Sequence, residues 1–146
     1  NNNNNNELFQ LVPKDSMVKA KAKQLAMMIG CDIQPIQNLR VLRYVMKEYG
    51  HDNKLPWGKH WIEQGFIAIE AELSKIGYND GNTKYCLGNM ITLADIYLVP
   101  QVYNAKRFKV DMSQFPNITR IDDNLSQLSE FQHAHPDQQP DAQQAS

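Results

Sequence analysis

The run Asn89-Met-Ile-Thr-Leu-Ala-Asp95, followed by Ile96 to Phe108, joins a complete helix-start signal to a strongly apolar helix. Thr92 is placed to cap the backbone N–H of Asp95, Asp95 to reach back to the N–H of Thr92, and Ile91 to pack on Ile96 as a hydrophobic staple. These positions predict a central helix of about Leu93 to Phe108, bent at Pro100. Ile96, Leu98, Val99, Val102 and Tyr103 point several ways around it, which suits burial on more than one face. A chain built around such a helix must pack other helices against it.

The rest of the sequence supplies them. Asp15 or Ser16 can cap a first helix in which Leu25, Met28, Ile29 and Ile33 recur at helical spacing, and Leu39, Leu42, Met46 and Tyr49 continue the stripe beyond Pro35. Pro35 must kink or interrupt this helix, because it brings no N–H and crowds the preceding turn. A further helix is predicted from about Pro56 to Ile76, with Ile62, Phe66, Ile69, Leu73 and Ile76 on one face. Gly77 and the Asn79-Asp-Gly-Asn82 turn should end it, and Tyr85-Cys-Leu-Gly reads as a connecting loop. Pro116 suits the first turn of another helix carrying Ile118, Ile121, Leu125 and Leu128, with a short last turn around Phe131. With no alternating strand and no βαβ unit, the expected class is all-α, with about five helices and no internal repeat.

At 146 residues and 42% hydrophobic content there is room for one domain with a real core. Asn1 to Asn6 cannot bury anything, so residues 1–13 read as a disordered lead and linker, 14–135 as the helical domain, and 136–146 as an extended polar tail. No window offers ~18 uninterrupted apolar residues and no basic-then-apolar leader opens the chain, so it reads as cytoplasmic. A net charge of −1 gives no electrostatic footprint for nucleic acid. Lys14, Lys19, Lys21 and Lys23 read as a solvated helix face, with phosphate or nucleic-acid binding as the alternative. Cys31 and Cys86 have no CxxC spacing and read as buried free thiols, and no His cluster has metal spacing.

Two places can carry chemistry. The segment Ile33-Gln-Pro-Ile-Gln-Asn-Leu-Arg-Val-Leu42 puts two glutamines and an asparagine at a helix break, and reads either as a solvated face or as a polar ligand site. Arg107, at the end of the capped helix, either complements the helix dipole or presents a planar fork of donors to a carboxylate. Trp57, Trp61, Phe66 and Tyr103 are core aromatics or pocket wall.

A glycine, two residues, Ile-Thr-x-Ala-Asp and an apolar helix resemble the central helix of the α-helical domain of glutathione transferases. The sequel Leu98-Val-Pro-Gln-Val-Tyr-Asn-Ala-Lys-Arg-Phe108 is similar to the zeta class, the maleylacetoacetate isomerases, and the likeness runs from about Lys14 to Asp141. It implies that Gln34, Asn38, Leu39 and Arg40 border a glutathione site near a subunit interface. Arg107 would bind a carboxylate of the substrate, with Asn104 to Phe108 matching the motif. The family's first, thioredoxin-like domain, with its thiol-activating Ser-Ser-Cys-type motif and cis-proline, has no match in these residues. What the resemblance implies is glutathione-dependent isomerisation of maleylacetoacetate to fumarylacetoacetate in tyrosine and phenylalanine catabolism, by a homodimer to which this chain supplies the substrate-side domain. The isolated chain is expected to be inactive. A transferase acting on another electrophile and a non-catalytic helical interaction module are the alternatives.

Overall fold

The computed structural model of the chain describes residues 8–76, 83–140 and 142. The Asn1 to Asn6 tract, Gly77 and the Asn79 to Asn82 turn lie outside the described residues. Among the described residues five helices carry the fold: α1 Ser16–Met27, α2 Leu39–Tyr49, α3 Lys54–Lys75, α4 Leu93–Arg107 and α5 Pro116–Ser126, with a short α6, Ser129–His133, after them. Among the described residues only isolated bridges occur, and no regular strand. Among the described residues no helix is long and apolar enough to cross a membrane.

α4 is the axis of the bundle. Its Ala94, Leu98, Gln101, Val102 and Ala105 are buried, with α1 packed on one side and α5 on the other. α3 contributes Ile62, Phe66, Ile69 and Leu73 to the same core, and the Phe66 ring meets Phe115 edge-on at 5.4 Å. The capping box at Thr92 and Asp95 is formed. Ahead of it, Leu8 to Leu11 are hydrogen-bonded to the start of α4, within the stretch 1–13 expected to be a disordered lead and linker. Ile91 donates to the Leu8 carbonyl at 2.7 Å, Gln10 donates to Ile91 at 2.9 Å, and Leu93 donates to Leu11 at 3.0 Å. Pro136–Gln138 forms a single 3-10 turn where extended chain was expected.

Pro35 breaks the first helix in an unexpected way. α1, capped by Asp15, widens into a π-helical segment, Met28–Ile33, that runs directly into the short turn Gln34–Ile36. The Gln34 N–H donates five residues back to the Ile29 carbonyl, so the turn is enlarged just before the residue that has no N–H. Asn38 then caps α2 by accepting the Arg40 N–H at 3.2 Å. This new start resets the phase of α2: Leu42 and Val45 are buried, whereas Leu39 and Tyr49, expected in the apolar stripe, are 53% and 66% exposed. α3 begins at Lys54, earlier than expected, because Pro56 falls in its first turn, where a missing N–H costs nothing. Cys86 is buried as expected, but Cys31 is exposed, with its Sγ 3.4 Å from Met27 Sδ.

Two glycines of α3 set how closely its neighbours approach. A methyl group at Gly65 would overlap Ile33 of the π segment, and one at Gly58 would overlap the ring of Phe108 just beyond α4. The helix break and the end of α4 are therefore both seated against the same face of α3.

Candidate functional site

That seating brings the two sequence candidates together. A cleft of about 280 Å³ lies between the start of α2, the start of α3 and the end of α4, lined by Gln37, Leu39, Leu42, Lys54, Leu55, Asn104, Arg107 and Phe108. Its size is just below the range for small-ligand pockets, about 300–1,000 Å³. Leu39 and Arg107 thus share one wall-to-wall space, although they are far apart in sequence. Gln34, Asn38 and Arg40 are not among the lining residues. Gln34 is half-buried in the turn behind it, the Asn38 side chain is engaged as the α2 cap, and Arg40 is exposed on the first turn of α2.

The two cations that end α4 have different surroundings. Lys106 is committed to Asp122 of α5 at 2.7 Å, whereas Arg107 lies over the ring of Tyr103 at 5.9 Å. Tyr103 is itself held by His135, edge-on at 5.3 Å, and by Asp137, to which its hydroxyl donates at 3.4 Å. Arg107 makes no salt bridge among the described residues, so its fork of donors is open to a ligand.

From the wall of the cleft a chain of amides runs inward to Gln101, which sequence reasoning did not single out. Asn104 donates to the Gln37 carbonyl at 2.8 Å, and Gln37 donates to the Gln101 carbonyl at 2.5 Å. Gln101 is 1% exposed, and among the described residues its own amide nitrogen has no hydrogen-bond partner. The signal was present in the sequence: Gln101 falls between Leu98, Val102 and Ala105 on the buried face of α4, where a polar side chain needs a partner. Trp57 completes the support by donating to the Ile36 carbonyl at 3.0 Å, which ties α3 to the helix break. A second, apolar cavity of about 260 Å³ lies on the other side of Tyr103, among Phe9, Ile96, Val99, Pro100 and Phe131.

A family model described as the glutathione S-transferase C-terminal domain matches residues 41–128. The chain belongs to that family. Within the family, a probable maleylacetoacetate isomerase of Vibrio cholerae is 42% identical over 135 residues, covering 91% of this chain and 60% of the relative. The maleylacetoacetate isomerase of Dictyostelium discoideum is 43% identical over 134 residues, covering 91% and 59%. The chain therefore spans about 60% of the length of these relatives. A crystal structure of maleylacetoacetate isomerase from Anaeromyxobacter dehalogenans 2CP-1 matches with a TM-score of 0.84 and 38% identity, over 91% of this chain and 58% of that one. That protein holds dicarboxyethyl glutathione and citrate in its active site.

Proposed function

We propose that this transferase-family helical domain is the substrate-side half of a glutathione-dependent isomerase that converts maleylacetoacetate to fumarylacetoacetate, working as a cytoplasmic homodimer in its two-domain form. The observation that carries this reading is the shared cleft of Leu39 and Arg107, which joins the segment resembling the family's glutathione border to the guanidinium resembling its carboxylate clamp. The Anaeromyxobacter relative, whose active site holds dicarboxyethyl glutathione and citrate, supports it.

In this reading the glutathione thiolate adds to the conjugated double bond, the resulting single bond rotates, and elimination of the thiolate leaves the trans product. Gln34, Asn38, Leu39 and Arg40 border the tripeptide, and Arg107 holds a substrate carboxylate in place while the bond turns. A thiol with an ordinary pKa of ~8.5 is mostly protonated at neutral pH, so the reaction needs a thiol-activating group of the thioredoxin-like type beside this cleft.

The test joins the chain to the thioredoxin-like half of a relative and assays maleylacetoacetate and an uncharged electrophile with glutathione. Arg107→Ala should lose about 2–4 kcal/mol of transition-state binding in kcat/KM on the dicarboxylic substrate only, and Arg107→Lys should recover part of it. Equal losses on the two substrates would leave Arg107 as a partner of the helix dipole and refute the clamp.

A further inference from the structure

Arg107 is not the only cation in the cleft. Lys54, the first residue of α3, lines the same space, and the lining contains two cations, two amides and four apolar side chains but no carboxylate. Among the described residues neither Lys54 nor Arg107 forms an ion pair within 4.0 Å. Nor does the sequence offer Lys54 a local partner, since the positions three and four residues away on either side are Gly50, His51, Trp57 and Gly58. Asp52, two residues before it, is exposed and makes no ion pair with it.

The location is also the wrong end of the helix for a cation. The start of a helix carries partial positive charge, so a lysine there is disfavoured, and α3 has no side-chain cap at Asn53 to offset it. Asn53 instead donates its amide to the Tyr49 carbonyl at 2.5 Å. Two like charges facing one small cleft, one of them set against a helix dipole, form an arrangement that a doubly charged anion relieves and a singly charged one relieves only in part.

We propose that Lys54 is a specificity-determining residue, the second cation of a two-point site that selects ligands with two carboxylates over those with one. The proposal rests on reading Arg107 as a carboxylate clamp, and adds to it the group that meets the other end of the ligand. Lys54 acts on selection, while Arg107 acts on binding of either class.

The experiment titrates the chain with succinate and, separately, with butyrate, which has the same carbon count and one carboxylate fewer. Binding is followed by NMR at the Asn104 side-chain amide, which lines the cleft in all variants. The expected result is a preference for succinate of about tenfold, reduced to near unity in Lys54→Met with butyrate affinity unchanged, and retained in Lys54→Arg. Arg107→Ala should weaken both acids. An unchanged succinate-to-butyrate ratio in Lys54→Met overturns the proposal while leaving the Arg107 reading in place. A collapsed ratio in Lys54→Met with no effect of Arg107→Ala removes the clamp and overturns the two-point site with it. Absence of any saturable shift with succinate in the wild-type chain overturns both.

Discussion

Asp95 accepts the backbone N–H of Cys86 at 2.8 Å, a bond spanning nine positions that fastens the loop ahead of α4 to the first turn of α4 itself. The same carboxylate accepts the Thr92 N–H at 2.7 Å and the Thr92 hydroxyl at 3.0 Å, with none of the residue exposed. Burial pushes the Asp95 carboxyl above its ordinary range, and the bonds from Cys86 and Thr92 pull the other way. Asp95→Ala would leave two buried N–H groups without an acceptor, at about 1–3 kcal/mol each. We therefore expect Asp95→Ala to cost ~2–6 kcal/mol in urea unfolding, and Thr92→Ala only the ~0.5–2 kcal/mol of an ordinary cap. Similar losses for the two variants would show that Asp95 does no more than cap.

The close seating of α3 gives a second expectation. Replacing a helical glycine by alanine ordinarily gains ~0.5–1 kcal/mol. At Gly58 and Gly65 the added methyl would overlap Phe108 and Ile33, and overpacking of this kind costs about 1–3 kcal/mol. Both variants should melt earlier than the parent chain. Gly58→Ala should also disturb anion binding, because Phe108 lines the cleft. A higher melting temperature in either variant would mean that the neighbouring side chain moves aside without cost.

How legible these features were depends on how local their causes are. The α4 start could be read because Thr92 and Asp95 encode it within a single turn, and the apolar periodicity of α3 and α5 needed nothing beyond each helix. Arg107 could be singled out as a chemical candidate, but its companion Lys54 could not. What makes Lys54 notable is the absence of acid around a cleft assembled from three helices, and no spacing within α3 announces that. The phase of α2 was misjudged for a related reason. The Asn38 cap and the π-helical turn before Pro35 restart the helix, so a stripe extrapolated through the break lands on Leu39 and Tyr49 instead of Val45.

Glu72 links α3 to α1 and gives the fold an acid-sensitive contact. It accepts from Lys75 at 2.6 Å and from Lys21 at 2.9 Å, and these two ammonium groups, Lys75 foremost, lower its pKa from 4.5 to about 2. Since the folded value lies below the unfolded one, the contribution is fully present above about pH 4.5 and is lost as the pH falls toward 2. Glu72→Gln should melt earlier than the parent chain at neutral pH, and the two curves should converge near pH 2. A difference that persists undiminished at acid pH would assign the effect to packing of the side chain and not to its charge.

The amide chain that starts in the cleft wall makes the most specific prediction about how the two halves of the candidate site are held in register. Gln37, from the helix break, bonds both Gln101 and Asn104 of α4, and it is 7% exposed. Gln37→Met keeps the bulk but strips Gln101 of its remaining partner, and a buried polar group left alone costs about 1–3 kcal/mol. Gln101→Met similarly leaves one Gln37 N–H unpaired. Changing both residues to Met removes donor and acceptor together, so the double variant should be more stable than the sum of the single losses predicts, by about 0.5–3 kcal/mol of coupling. Strict additivity in the double-mutant cycle would show that the two amides do not depend on each other. The double variant also separates stability from placement. It should recover the fold, yet bind succinate less well than the parent chain, because the amide bonds that tie the helix break ahead of α2 to the helix carrying Arg107 are then gone.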